Sequence, residues 1–388
     1  MNTIYLATLI FGLICIITIT VYLYTLIKRI TKKFESIINP GCDEASDKPK
    51  KTWFQRAIPI AIASLIILLI IIYNPLVLFV LYFLMASMLV DITHIIIKKI
   101  SKKENTPLKI WTFIRTYFII PIIFSIGLMV YGHFNIMNVQ PTYYNLSTDK
   151  NIRTEGYRIG LMADLHFGSS IDLKELERIC SEISDTHPDI MILCGDIVDE
   201  STTYNEMLEV FRVLGNIETT YGIYFVYGNH DCQTYVPDPA FTKEQLAKAI
   251  TDNNITILED QVTNISDDLV LVGRNDASFS NNSNRTSIQN LLSGVDKNDY
   301  ILVLDHQPTE YNQNASAGTD LLLSGHTHAG QFWPLNYVLE VIPFNDGVYG
   351  LEKIKDMNTI ITSGVSGWAF PYKTSSPAEY VIINVVPN

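Results

Sequence analysis

Four apolar stretches crowd the first 134 residues: Ile4–Ile27, Ala57–Tyr73, Leu76–Ile97 and Phe113–Phe134. Each, as a helix, is long enough to cross about 30 Å of hydrocarbon, the second only just. A membrane-embedded first part of four transmembrane helices follows. "YNP" at Tyr73–Pro75 leaves almost no loop between the second and third spans, which predicts a tight hairpin. The first stretch lacks a basic leader and a small-residue cleavage site, and further spans follow it, so it reads as a span and not as a cleaved signal.

Orientation comes from the basic loops. "KRITKK", "KPKK" and Arg56 fall between the first and second spans, in loop 28–56. "KKISKK", Lys109 and Arg115 fall between the third and fourth, in loop 98–115. Both loops are expected on the cytoplasmic side. Four spans then put the N-terminus and everything after the fourth span outside a cytoplasmic membrane. Asp91 and His94 sit three apart in the third span. An ionisable pair there is a candidate functional site, although a position so near the cytoplasmic end also suits side chains that reach the interface.

Charge divides the chain at the same place. Residues 1–149 hold 14 basic and 7 acidic residues, and residues 150–388 hold 14 and 33. So acidic a second part lacks the basic footprint of a nucleic-acid binder. It remains compatible with a phosphorylated substrate if bound metals supply local positive charge. Cys15, Cys42, Cys180, Cys194 and Cys232 form neither a disulfide framework nor a CxxC metal site. Cys194 reads as core.

The second part alternates strand and helix patterns. "YRIGLMADLH", "DIMILCGD" and "YGIYFVYGNHD" are apolar runs with polar ends, each followed by an amphipathic helix pattern. "LVLVGRND", "YILVLDHQP", "DLLLSGHTH", "TIITSG" and "EYVIINVV" supply further strands. An α/β sandwich, with helices covering buried sheets, is expected. The boundaries are 1–138 for the membrane region, 139–156 for a linker and 157–388 for the α/β domain. Sequons at Asn145, Asn264, Asn281, Asn284 and Asn314 would be glycosylation acceptors in a eukaryotic host.

Five of the strand ends bear metal-capable residues. They are Asp164 and His166, Asp196, Asn229 with His230 and Asp231, Asp305 with His306, and His326 with His328. In α/β domains, sites form just beyond the carboxyl ends of strands. The i,i+2 pairs Asp164/His166 and His326/His328 can each present two ligands on one side of an extended segment. Mixed imidazole and carboxylate donors without thiolates suit Mn, Fe, Zn or Co.

The series D-x-H, GD, GNH-D, H and GH-x-H resembles the dinuclear calcineurin-like metallophosphoesterase family over roughly residues 157–386. The resemblance implies two mixed β-sheets flanked by helices and two divalent transition-metal ions. It places Asp164, His166 and His328 on one metal, Asn229, His306 and His326 on the other, and Asp196 between them. His230 would assist the transferring phosphoryl group or protonate the leaving oxygen, and Asp231 would orient its imidazole. "SGHTHAGQFWP" and "GVSGWAFPYKTSSPAEYVIINV" are similar to the bacterial membrane-associated branch, which implies a phosphodiester or pyrophosphate bond in a lipid or nucleotide-linked glycolipid. Gln331, Trp333, Trp368 and Lys373 are candidates for its substrate cleft. Lys373 stands where the family commonly has arginine, which would forfeit a bidentate grip on phosphate. A phosphomonoesterase, a non-catalytic membrane sensor or assembly protein with a retained metal site, and a transporter with a regulatory domain are the other readings.

Overall fold

The computed structural model describes residues 21–31, 75–100, 106–278, 285–342 and 344–388, in two compact units, 1–130 and 131–388. The expected second span, and all but the end of the first, lie outside the described residues.

In the first unit, helix α1 (residues 21–31) precedes α2 (Leu76–Ile100) and α3 (Thr106–Thr116). Helix α4 (Ile119–Met137) runs on from this unit into the second. Among the described residues, α2 and α4 are long and apolar enough to cross a membrane. The expected fourth span at Phe113–Phe134 is displaced. Phe118 has φ 55°, outside the right-handed helical region, so the chain breaks between α3 and α4. Pro121 then falls in the first turn of α4, where its missing N–H costs nothing. Among the described residues, Asp91 takes its hydrogen bonds from side chains other than His94. Its carboxylate accepts from Tyr22 Oη (2.9 Å), Arg115 Nε (2.6 Å) and Arg29 Nη2. Both guanidiniums come from the ends of the predicted basic loops.

The second unit holds two six-stranded mixed sheets. One has the order β1-β12-β2-β3-β4-β5. These are β1 (Gln140–Thr148), β2 (Tyr157–Met162), β3 (Ile190–Cys194), β4 (Ile223–Val226), β5 (Ile255–Ile257) and β12 (Glu379–Pro387). The other has the order β10-β11-β9-β8-β7-β6. Its strands are β6 (Gln261–Asn264), β7 (Leu269–Gly273), β8 (Tyr300–Leu304), β9 (Leu321–Ser324), β10 (Gly350–Ile354) and β11 (Met357–Ile361). Residues 139–156 are therefore not a free linker. They contain β1, paired in parallel with β12 from Gln140↔Glu379 to Thr148↔Pro387.

Period-two alternation builds the layers. Ile159, Leu161, Ile190, Ile192 and Cys194 from the first sheet meet Leu269, Leu271, Leu302, Leu304 and Leu323 from the second in one core. Met162, Met191 and Leu193 turn the other way, against α5 (Leu173–Asp185), α6 (Tyr204–Leu214) and α7 (Lys243–Asp252). Val270, Val272, Ile301 and Val303 face α8 (Ile288–Leu291) and α9 (Tyr311–Ala317). A short α10 (Leu335–Val341) covers none of these cores. Helices start where the sequence supplies caps: Asp172 accepts from Glu175 N, and Thr203 with Glu206 and Thr242 with Gln245 form capping boxes. The result is four layers, helix–sheet–sheet–helix.

Candidate metal centre

Strands β2, β3, β4, β8 and β9 end together, and the loops that leave them converge. Ala163–Phe167 and the residues around Gly195 are joined by hydrogen bonds from Asp164 N to Gly195 O (3.1 Å) and from His166 N to Asp196 O (3.0 Å). Across the sheets, His326 N donates to both Asp164 oxygens (3.0 Å each) and Gly325 N donates to His306 O (3.0 Å).

Two groups of metal-capable side chains result: Asp164, His166 and His328, and Asp196, His306 and His326. Asn229 joins the second, its Oδ1 2.9 Å from His326 Nδ1. Asp196 Oδ2 lies 3.7 Å from His166 Nε2 and 3.1 Å from His306 Nε2, within reach of one imidazole from each group. Its other oxygen accepts from His230 N (2.8 Å). His166 Nε2, His306 Nε2 and His328 Nδ1 are buried and make no hydrogen bond. Unpartnered buried polar atoms are uncommon in folded proteins. Imidazoles with free nitrogens converging on carboxylates fit a bound cation pair.

The backbone is strained where the ligands sit. Asp164, His166, Asp196, His326 and His328 all have positive φ, between 39° and 70°. Such conformations cost of order 1–3 kcal/mol each and persist where the surroundings dictate them. Gly195 and Gly228 permit the close approach. A Cβ on Gly228 would stand 2.3 Å from Asp196 Oδ1, and one on Gly195 would stand 2.5 Å from His306 Nδ1.

Electrostatics separate the two carboxylates. Burial lifts Asp164 above the usual carboxylate range, although the His306 and His166 imidazoles pull against it. Burial also opposes ionisation of Asp196, but there the contacts of His306, with His166 and His230, prevail and hold it far below. Burial holds His326 down at about 4.

His230 lies at the edge of the centre, its ring 5.3 Å from that of His166. Its Nδ1 contacts Glu200 Oε2 at 2.8 Å. Burial lowers its pKa, but the Glu200 hydrogen bond and the charges of Asp196, Glu200 and Asp199 raise it on balance. Asp231 does not orient His230, contrary to the expectation from sequence. It accepts from the backbone N–H groups of Asp196, Ile197, Val198 and Gly228 at 2.7–3.2 Å, and so ties two ligand loops together. Burial and the neighbouring Asp196 charge raise it to about 7.

A cleft of about 700 Å³ opens over Asn229 and His230, walled by Ser169, Asp199, Glu200, Ser201, Tyr235, Trp368, Ala369 and Pro371. Of the four sequence-predicted cleft residues, only Trp368 lines it. Lys373 is fully buried, its ammonium donating to the carbonyls of Ser363, Gly364 and Ser366. Those acceptors neutralise no charge, and burial lowers its pKa to about 8. Gln331 is buried too, donating to the carbonyls of Trp368, Phe370 and Tyr372. Trp333 N donates to Thr374 Oγ1 (2.9 Å). Both hold the tail segment in place. Glu200, Asp199 and Tyr235 were not singled out from sequence. Asp199 places Oδ2 3.3 Å from His166 Nδ1. The acidic pair directly after "GDIV" was the available signal. Cys194 is core, as expected, with Sγ 3.5 Å from Leu323 O.

Residues 157–330 match the calcineurin-like phosphoesterase family. Those residues of the second unit are a calcineurin-like metallophosphoesterase domain. A transmembrane protein with metallophosphoesterase domain from Danio rerio is 26% identical over 282 residues, covering 69% of this chain and 62% of that protein. An uncharacterized metallophosphoesterase of Helicobacter pylori is 27% identical over 234 residues, covering 59% and 60%. The chain thus spans about three fifths of the length of these two relatives. A dimetal phosphatase from Danio rerio aligns with a TM-score of 0.38 at 12% identity, covering 58% of this chain and 90% of that one.

Proposed function

We propose that the metallophosphoesterase domain is a metal-dependent phosphohydrolase held at the outer face of a cytoplasmic membrane, where it cleaves a phosphodiester of a lipid or lipid-linked substrate. The observation that carries this reading is the position of Asp196, one oxygen of which reaches imidazoles of both ligand groups. Asp164, His166 and His328 would hold one ion, Asn229, His306 and His326 the other, and Asp196 both. A bound pair of Mn, Fe, Zn or Co ions supplies charge for the phosphoryl oxygens and a nucleophile at neutral pH.

The chain's own groups do the rest. His230 faces the cleft, and with Nδ1 engaged by Glu200 its Nε2 is the nitrogen left to protonate the leaving oxygen. Glu200 fixes the ring and favours the proton on it. Asp231 holds the loops of Asp196 and Asn229 in register through four N–H groups. Strained φ values keep the ligand side chains converged before substrate arrives.

Among the described residues no lysine or arginine lines the cleft, so none of them takes the charge of a second phosphate. This favours a diester over a pyrophosphate. Apolar helices ahead of the domain support a substrate at the bilayer. The test uses full-length protein in detergent, stripped of metal and reloaded one metal at a time, with bis-p-nitrophenyl phosphate and p-nitrophenyl phosphate as substrates. Metal-restored diester hydrolysis that is lost in Asp196→Asn and His230→Ala is expected. Monoester hydrolysis in excess would make the domain a phosphomonoesterase, and metal binding without turnover of either ester would make it a sensor. A folded protein that binds no metal would sink the reading.

A further inference from the structure

Helix α10, with the sequence LNYVLEV, has no buried residue. Leu335 and Tyr337 are exposed, as are Val341 (80%) and, just beyond the helix, Phe344 (70%). Single exposed apolar residues are ordinary, but Tyr337 and Val341, four apart on one face of the helix, together with Phe344 just beyond it, are exposed apolar side chains that call for a partner.

A belt of hydrogen bonds fixes where this patch lies. Trp333, two residues ahead of α10, donates from its N–H to Thr374 Oγ1, and Thr374 N donates to Gln331 O (2.8 Å). The next residue back, Lys373, donates from its N–H to Gly132 O (3.0 Å). Asn135 Nδ2 donates to the carbonyls of Lys373 (2.8 Å) and Ser376 (2.7 Å). The approach to α10 and the last turns of α4 are therefore bonded to one short segment, residues 373–376. Through those turns α4 shows Tyr131, Phe134 and Met137 to the outside. Exposed apolar side chains thus stand on both elements tied to segment 373–376, the last turns of α4 and α10.

We propose that α10 and Phe344 insert into the lipid interface on the side where α4 leaves the bilayer. The composition suits that role: Tyr337 and Phe344 belong to the aromatic and apolar types that settle at the headgroup boundary, and Glu340 is the one charged residue of the helix. The cleft is held to the same belt. Gln331 bonds the carbonyls of Trp368, Phe370 and Tyr372, and Trp368 with Pro371 forms the cleft's rim. Seating α10 in the interface brings that rim to the headgroups.

The test places a nitroxide at Val341→Cys in full-length protein in phosphatidylcholine/phosphatidylglycerol nanodiscs, with Cys15, Cys42 and Cys232 replaced by serine. Collision with oxygen and with a water-soluble nickel chelate reports depth, and Asn298→Cys, exposed in the turn before β8 and away from the strand ends that carry the ligands, is the control. Expected is a several-fold higher oxygen-to-nickel ratio at residue 341 than at 298. Equal ratios would overturn the proposal. So would strong dipolar coupling between labels of two molecules, which would name a second copy as the occupant. Phe344→Cys, checked for an unchanged melting temperature, repeats the measurement if Val341→Cys fails to fold.

Discussion

Two clusters of enclosed carboxylate chemistry sit in the two units, and they are finished in opposite ways. In the helical unit Asp91 is met by two guanidiniums and a phenol. Among the described residues three donors meet it, two of them charged, so the protein supplies the countercharge. In the metallophosphoesterase domain Asp164 and Asp196 are met mainly by imidazoles, several of whose nitrogens have no partner. Arginine completes an ion pair because it is always charged and donates from a fixed fork. Neutral imidazole offers a lone pair instead, and that invites a metal. The helical cluster is a tie between segments, whereas the domain's cluster is a receptacle.

Substitutions can separate the two. Asp196→Asn should have the largest effect on hydrolysis, reducing it to the level of chelator-treated protein and lowering the metal content measured by elemental analysis. Unliganded Asp164→Asn should melt no lower than unliganded wild type, because burial already disfavours its charge; a much lower melting temperature would show that the site is a tie after all. His230→Ala should lower kcat by about 10²–10⁴-fold while leaving bound metal unchanged. Glu200→Gln should cost about 10–100-fold, seen in kcat more than in KM, since it acts through the orientation of His230. Asp91→Asn comes last for hydrolysis, with no change expected on a soluble diester. It should instead destabilise the helical unit by about 3 kcal/mol, because two guanidiniums lose their shared partner. Denaturation of the reconstituted protein, followed by circular dichroism, would measure this.

The ligands were legible in the sequence because metal chemistry demands particular side chains and the strand ends supply fixed places for them. The sheets were legible for a similar reason: "DIMILCGD" and "YILVLDHQP" are buried on both faces and tolerate little but aliphatic residues. Where burial is partial, that signal fades. Strand β1 has one buried residue, Leu146, among polar and aromatic neighbours, so an edge strand looked like a linker. Lys373 gave no sign of its burial, since the way the tail folds back onto the carbonyls of 363–366 decides it. Asp231 looked like a partner for its neighbour His230, but a carboxylate after a tight turn can instead gather the N–H groups of an adjacent loop. The break at Phe118 was hidden in a run whose apolar character continues across it.

Strand β1 has a consequence for how the protein is made. Its partner β12 lies roughly 240 residues downstream, Gln140 pairing with Glu379. When α4 has left the ribosome and β1 follows it, nothing yet exists for β1 to pair with, and only synthesis of β12 can close the first sheet. Pairing across so long a separation is slow to form. The helices ahead of the domain are therefore complete well before the sheet is, and during that interval the growing chain presents an open strand edge of the kind that chaperones cover.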